Sequence, residues 1–155
     1  MKFLRSAPGN DPLELESEFN APVERVFRAW VEPGELVKWF GGAPNTVLEA
    51  DVDLRDGGQW RFILRDDDDG RAYFAGQYVT IRQPEQLVFT WSYVDEKRGR
   101  APEVKHRSRV TVSFEALGDS RTRLRLHHAG LSSEEAIHMF GGGWDRSLQV
   151  LETLY

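Results

Sequence analysis

The sequence predicts an α+β fold: a curved antiparallel β-sheet wrapped around one long C-terminal α-helix, with two short helices after the first strand. Three observations predict it. A Trp39-Phe40-Gly41-Gly42 block closes a helical pair in the first part of the chain. A Gly141-Gly142-Gly143-Trp144 block sits inside a final helical segment. Between the two runs a series of alternating segments separated by tight turns. This layout leaves a space between helix and sheet that aromatic side chains can line, which is where a bound small molecule is first sought.

The elements follow in order. Leu13, Leu15, Ser17 and Phe19 alternate with Glu14, Glu16 and Glu18, a period of two with one buried face. Asn20 is expected to cap a helix with Pro22 in its first turn, and Val23, Val26, Phe27 and Trp30 fall at helical spacing. Pro33 stops that helix and starts a shorter one through Leu36, Trp39 and Phe40, which Gly41-Gly42 ends. Leu48, Ala50, Val52 and Leu54 read as one inward face, and Asp56-Gly57-Gly58 as a hairpin turn into Trp60, Phe62 and Leu64. A turn at Asp66 to Gly70 leads to a strand over Tyr73 to Ile81. Pro84 turns that strand into Leu87, Phe89, Trp91 and Tyr93. A polar loop from Asp95 to Glu103 precedes a strand from His106 to Phe114, and Gly118-Asp119 turns it into Thr122 to His128. Ser132 is the expected cap of the last helix, with Glu134 and Glu135 in its first turn, where the helix dipole favours negative charge. Ile137, Phe140, Trp144, Leu148, Leu151 and Tyr155 step by three or four and face the sheet.

Residues 1–155 read as one domain, with about residues 1–11 a flexible N-terminal segment. Without cysteine there is no disulfide framework, thiol nucleophile or thiolate metal site. The start of the chain does not have the form of a signal peptide, and no apolar stretch approaches a membrane span. The reading is a soluble cytoplasmic protein with no membrane partner. A net charge of −5 argues against nucleic acid as a partner.

Ala21-Pro22-Val23 with Val26-Phe27 and Ala29-Trp30 resembles the opening of the SRPBCC superfamily, the START and birch-pollen-allergen-like proteins. The similarity continues through Trp39-Phe40-Gly41, Asp53-Leu54-Arg55-Asp56-Gly57-Gly58, Gly76, Pro84 with Leu87, and Thr90-Trp91. It ends with Val110-Thr111-Val112, Thr122-Arg123-Leu124, His128 and Gly143-Trp144. The branch it resembles most is named after the C-terminal domain of the activator of the heat-shock-protein-90 ATPase. The resemblance implies a helix-grip fold. Its members include ligand carriers, cyclase-type enzymes and co-chaperone domains, so it implies little about function. The chain has Trp39-Phe40-Gly41-Gly42 where the family often has two tryptophans followed by Gly-Pro. It carries no counterpart of the co-chaperone's separate N-terminal domain, which weighs against chaperone activation.

The aromatics are the main functional lead. Trp39, Phe40, Trp60, Phe62, Phe89, Trp91 and Trp144 are assigned to inward faces or to the closing helix, where large rings leave gaps for a flat apolar ligand. Three consecutive glycines in a helix each cost roughly 1 kcal/mol relative to Ala and should kink or fray it, or admit another backbone. Strand parity puts His106 and His128 on the inward face, and His138 is placed to approach them, giving three imidazoles at one cavity mouth. A hydrogen-bonded structural cluster is expected there rather than a metal site, and no cofactor is expected. Asp66 to Asp69 reads as a solvated turn, since Arg65 stands where a calcium loop needs its first Asp. Arg107, Arg109, Arg123 and Arg125 share the outward parity, either as a solvated sheet face or as a docking patch for an acidic protein partner.

Three functional expectations follow. The first is binding of a small, largely apolar or aromatic molecule between the sheet and the last helix. The second is a cyclase- or hydrolase-type enzyme using the histidines as acid or base. The third is a co-chaperone-like or stress-linked interaction module, and homodimer formation stays open. A sealed apolar cavity favours the first, a polar end at the histidines the second, and a filled core the third.

Overall fold

A computed structural model describes residues 2–5, 12–43 and 45–155. In the strand Leu13–Phe19, Leu13, Leu15, Ser17 and Phe19 are buried while the intervening glutamates reach solvent, as alternation requires. It is the second strand, β2, because Lys2–Arg5 forms a strand, β1, antiparallel to it. Of the segment over about residues 1–11 that was expected to be flexible, these four residues form a strand; residue 1 and residues 6–11 lie outside the described residues.

Two helices follow, α1 (Val23–Val31) and α2 (Pro33–Trp39). Val26, Phe27 and Trp30 are buried, with Val23 packed partly against them. Asn20 does not cap α1. The N-cap is Pro22, which has no side-chain bond, and the Asn20 N–H donates instead to the Tyr155 carbonyl. Pro33 opens α2 at its first position, where a missing N–H leaves no bond unmade.

Six further strands complete the sheet: β3 (Glu49–Val52), β4 (Gln59–Asp67), β5 (Gly70–Arg82), β6 (Gln86–Lys97), β7 (Glu103–Ala116) and β8 (Thr122–Ala129). Their order is β1-β2-β8-β7-β6-β5-β4-β3, antiparallel throughout. The two short helices therefore carry the chain from β2, beside β8, to the far edge at β3. There the expected inward face shrinks. Ala50 is buried and Val52 partly so, but Leu48 and Leu54 are exposed, because the edge strand spans only four residues. The polar loop is also shorter than expected, since β6 runs to Lys97 and β7 starts at Glu103.

The last helix, α3 (Glu134–Leu154), packs across the inner face, completing the α+β helix-grip arrangement. Its Trp144 ring lies 5.3 Å from Trp91 on β6, and Phe140 lies 6.1 Å from Phe74 on β5. The cap is Ser133, one residue later than expected, and its hydroxyl accepts the Ala136 N–H. The helix runs unbroken through Gly141, Gly142 and Gly143. Phe140, Gly141 and Trp144 are buried on both sides of this stretch, and tertiary packing holds a turn that glycine alone would loosen.

Candidate functional site

The inward aromatics divide into a packed core and a cavity wall. Trp39 belongs to the core: it is fully buried, its indole N–H donates to the Ala29 carbonyl at 2.9 Å, and its ring lies 4.7 Å from Trp30. Trp60, Phe62 and Phe89 enclose, with Trp30 and Leu36, a residual space of about 10 Å³. That is room for one water at most. Phe40, Trp91 and Trp144 instead line an apolar recess of about 60 Å³, with Phe74, Phe140 and Gly143.

The recess shares Gly41, Phe74, Phe140 and Gly143 with a larger cavity of about 470 Å³ at the open end of the grip. This volume lies within the usual range for small-molecule sites. The sheet supplies Leu64, Phe74 and Tyr93; α3 supplies Met139, Phe140 and Gly143. Gly143 has open space where a side chain would stand, so the missing Cβ keeps part of the cavity empty. Beside it the turn after α2 is tied to α3: the Gly41 N–H donates to Ser147 Oγ at 2.9 Å, and that hydroxyl donates to the Gly143 carbonyl at 2.8 Å. Gly42 has φ of 86°, and a Cβ on it would stand 2.6 Å from Arg146 Cβ, so only glycine lets the turn approach the helix this closely.

The rim is basic. Lys105, His106 and Arg146 line it, and no carboxylate does among the described residues. A bulge puts Lys105 there. The β6–β7 pairing runs Trp91↔Ser108 but Tyr93↔Lys105, so β7 carries one extra residue at His106 and Arg107. A one-residue shift flips every later side chain to the other face. Regular alternation would send Lys105 outward with Arg107; the bulge sets it beside the inward Tyr93. His106 has φ of 59°, a left-handed conformation uncommon for non-glycine residues. Its ring stacks edge-on against Phe140 at 5.1 Å.

His128 is fully buried and saturated with partners. Trp144 Nε1–H can only donate, and it meets His128 Nδ1 at 3.1 Å. The imidazole proton therefore sits on Nε2, which donates to Ser108 Oγ at 2.7 Å. The Ser108 hydroxyl donates in turn to the His106 carbonyl at 2.9 Å. Burial, with smaller contributions from the imidazoles of His127 and His106, lowers the His128 pKa to about 3. The ring is a neutral tether between sheet and helix.

The third imidazole is elsewhere. His138 is 78% exposed on α3, 3.8 Å from Glu134, and it does not line the cavity. It lies one residue, about 100° of helical turn, from the buried Ile137, which carries it off the inward stripe. His127 faces outward to Glu14 at 3.2 Å. No group of three or more histidines or carboxylates converges as a metal site among the described residues. Asp67 closes its hairpin by accepting from Arg65 and from the Asp69 N–H.

The outward arginine stripe is split. Arg123 is bound to Glu16, Glu18 and Glu115, and Arg125 to Glu16, so β2 and β7 carboxylates neutralise that half. Arg107 and Arg109 are exposed and have no ion pair among the described residues. A groove of about 570 Å³ also crosses the outer face of β3 to β6, but it is polar and its Arg61 is held by Asp51 at 3.1 Å and by the Tyr73 ring.

Sequence reading passed over Ser108, Phe74, Tyr93, Lys105 and Arg146. Alternation with Val110 was enough to place Ser108 beside His128, and pairing with Phe62 was enough for Phe74. No local signal marks the bulge that brings in Lys105.

No described helix is long and apolar enough to cross a membrane. No curated protein matches the chain. Among solved structures, the fold matches protein CV1439 from Chromobacterium violaceum at 23% identity with a TM-score of 0.73, covering 93% of this chain and 96% of that one. CalU16 from Micromonospora echinospora is 25% identical with a TM-score of 0.64, covering 95% and 82%. An HSP90 activator from Plasmodium falciparum is 22% identical with a TM-score of 0.64, covering 90% and 91%. The family model described as Activator of Hsp90 ATPase homolog 1-like protein matches residues 20–155, and with the helix grip in place the chain belongs to that family, within the SRPBCC superfamily.

Proposed function

We propose that this protein binds a small, largely apolar molecule in the cavity between α3 and the sheet. One observation carries the reading: a space of about 470 Å³, walled by Leu64, Phe74, Tyr93 and Phe140, stays open at Gly143 while the adjacent core is packed nearly solid. Trp91 lines the inner recess, and its buried indole N–H, like those of Trp30 and Trp60 in the packed core, has no partner among the described residues. Enzyme chemistry through His128 is not favoured, because both ring nitrogens are committed and the ring stays neutral at physiological pH.

The test is titration with the neutral fluorophore N-phenyl-1-naphthylamine. One molecule should bind per chain and raise the melting temperature; binding only to the native state contributes about 2.7 kcal/mol at a hundredfold excess over Kd. Gly143→Leu should abolish binding while improving helix propensity by about 1 kcal/mol. No thermal shift in the parent protein, or undiminished binding in Gly143→Leu, overturns the reading.

A second reading is a protein-interaction module; the Plasmodium falciparum protein of similar fold is an HSP90 activator. Its support here is limited to Arg107 and Arg109, the unpaired half of the outward stripe.

A further inference from the structure

We infer that the cavity selects amphipathic anions: molecules with an apolar body and a carboxylate head, the head held at the rim by Lys105 and Arg146. The inference rests on the proposed cavity and names its ligand class. On a chain of net charge −5, the cavity walls carry two permanent cations and an imidazole but no carboxylate among the described residues. Arg146 has no ion pair among the described residues. Among the described residues Lys105 meets only Glu103, at 3.3 Å with both side chains about half exposed. Such a pair holds its lysine weakly and can yield it to a ligand.

The backbone shows the same bias. His106 takes a left-handed conformation that a β-strand residue does not need, and the resulting bulge turns Lys105 toward the cavity. A strained non-glycine residue persists where the surrounding structure holds it, and such residues gather at binding sites. Below the rim the walls are apolar, so an anion can sit only at the mouth, its tail running toward Phe140 and the recess beneath Trp91. An ammonium head would meet like charge there, and a neutral alcohol would leave both cations unengaged.

Isothermal titration with decanoate, decanol and decyltrimethylammonium separates these cases. Decanoate should bind roughly tenfold more tightly than decanol, the ammonium more weakly than either, and the decanoate preference should shrink as salt screens the rim. The double variant Lys105→Gln, Arg146→Gln changes two exposed side chains. It should remove the preference and leave decanol affinity within about twofold. Equal binding of decanol and decanoate, or a preference that survives in the double variant, overturns the inference while leaving the apolar cavity standing. Binding of none of the three overturns the cavity reading and this inference with it.

Discussion

His106 and His128 lie on neighbouring strands with both rings against Phe140, at 5.1 and 5.8 Å, yet their surroundings are opposite. His128 is closed over by Trp144, has a partner on each nitrogen and is driven neutral. His106 stands at the opening, in a strained backbone, and its ring has no hydrogen bond among the described residues. Strand parity assigns the two to one face; the lid of α3 and the bulge in β7 decide what each does. A histidine on an inward face is thus a structural tether wherever its nitrogens are filled, and a ligand-facing group only where the packing stops.

The largest effect should come from removing the lid. Trp144→Ala deletes a buried ring and leaves the His128 Nδ1 without its donor, and we expect a loss of roughly 3–5 kcal/mol in urea unfolding. A loss below about 1 kcal/mol would mean that the closed region is not closed. Acid sharpens the contrast next. His128 titrates near 3 when folded and at the ordinary 6.5 when unfolded, so between these values the unfolded chain binds more protons. Stability from this group is complete above about pH 6.5 and falls with pH below it, by up to about 1.4 kcal/mol per unit. Replacing the ring by His128→Gln should flatten that slope even as it lowers stability overall. An unchanged slope would show that other groups set the acid response. The smallest effect belongs to the open region. His106→Gly removes left-handed strain and should leave stability unchanged or raise it by about 1 kcal/mol. A clear loss would show that the ring contact with Phe140 outweighs the strain.

Much of the closed region was legible in the sequence. Leu13 to Phe19 announces its strand by alternation, and the Ile137, Phe140, Trp144, Leu148 stripe announces the face of α3, because both patterns record burial residue by residue. The same helical phase sets His138 about 100° from Ile137 and off the inward stripe, although its place along the helix is near the mouth. The open region was less legible for a different reason. A bulge is a property of two strands in register, and neither β6 nor β7 alone shows where the extra residue falls. Nothing in the sequence therefore marks Lys105 as facing the cavity. Likewise, the glycine run signals a weak helix in isolation, but only the position of Phe40, Phe74 and the Gly41 turn shows that Gly143 opens onto empty space.

The bulge has a consequence for how this strand can change over time. It acts as a joint that uncouples the two ends of β7. From Ser108 onward the strand's alternation is locked to the core through His128 and Val110, while residues before His106 follow an independent phase. Deleting a single residue at the joint would give a regular ladder with Lys105 still opposite Tyr93, whereas straightening the bulge at constant length would slip the register and exchange the inward and outward sets of the mouth in one step, with the core half untouched. Gain or loss of the bulge at constant length would thus change what the rim presents in one step rather than through a series of substitutions.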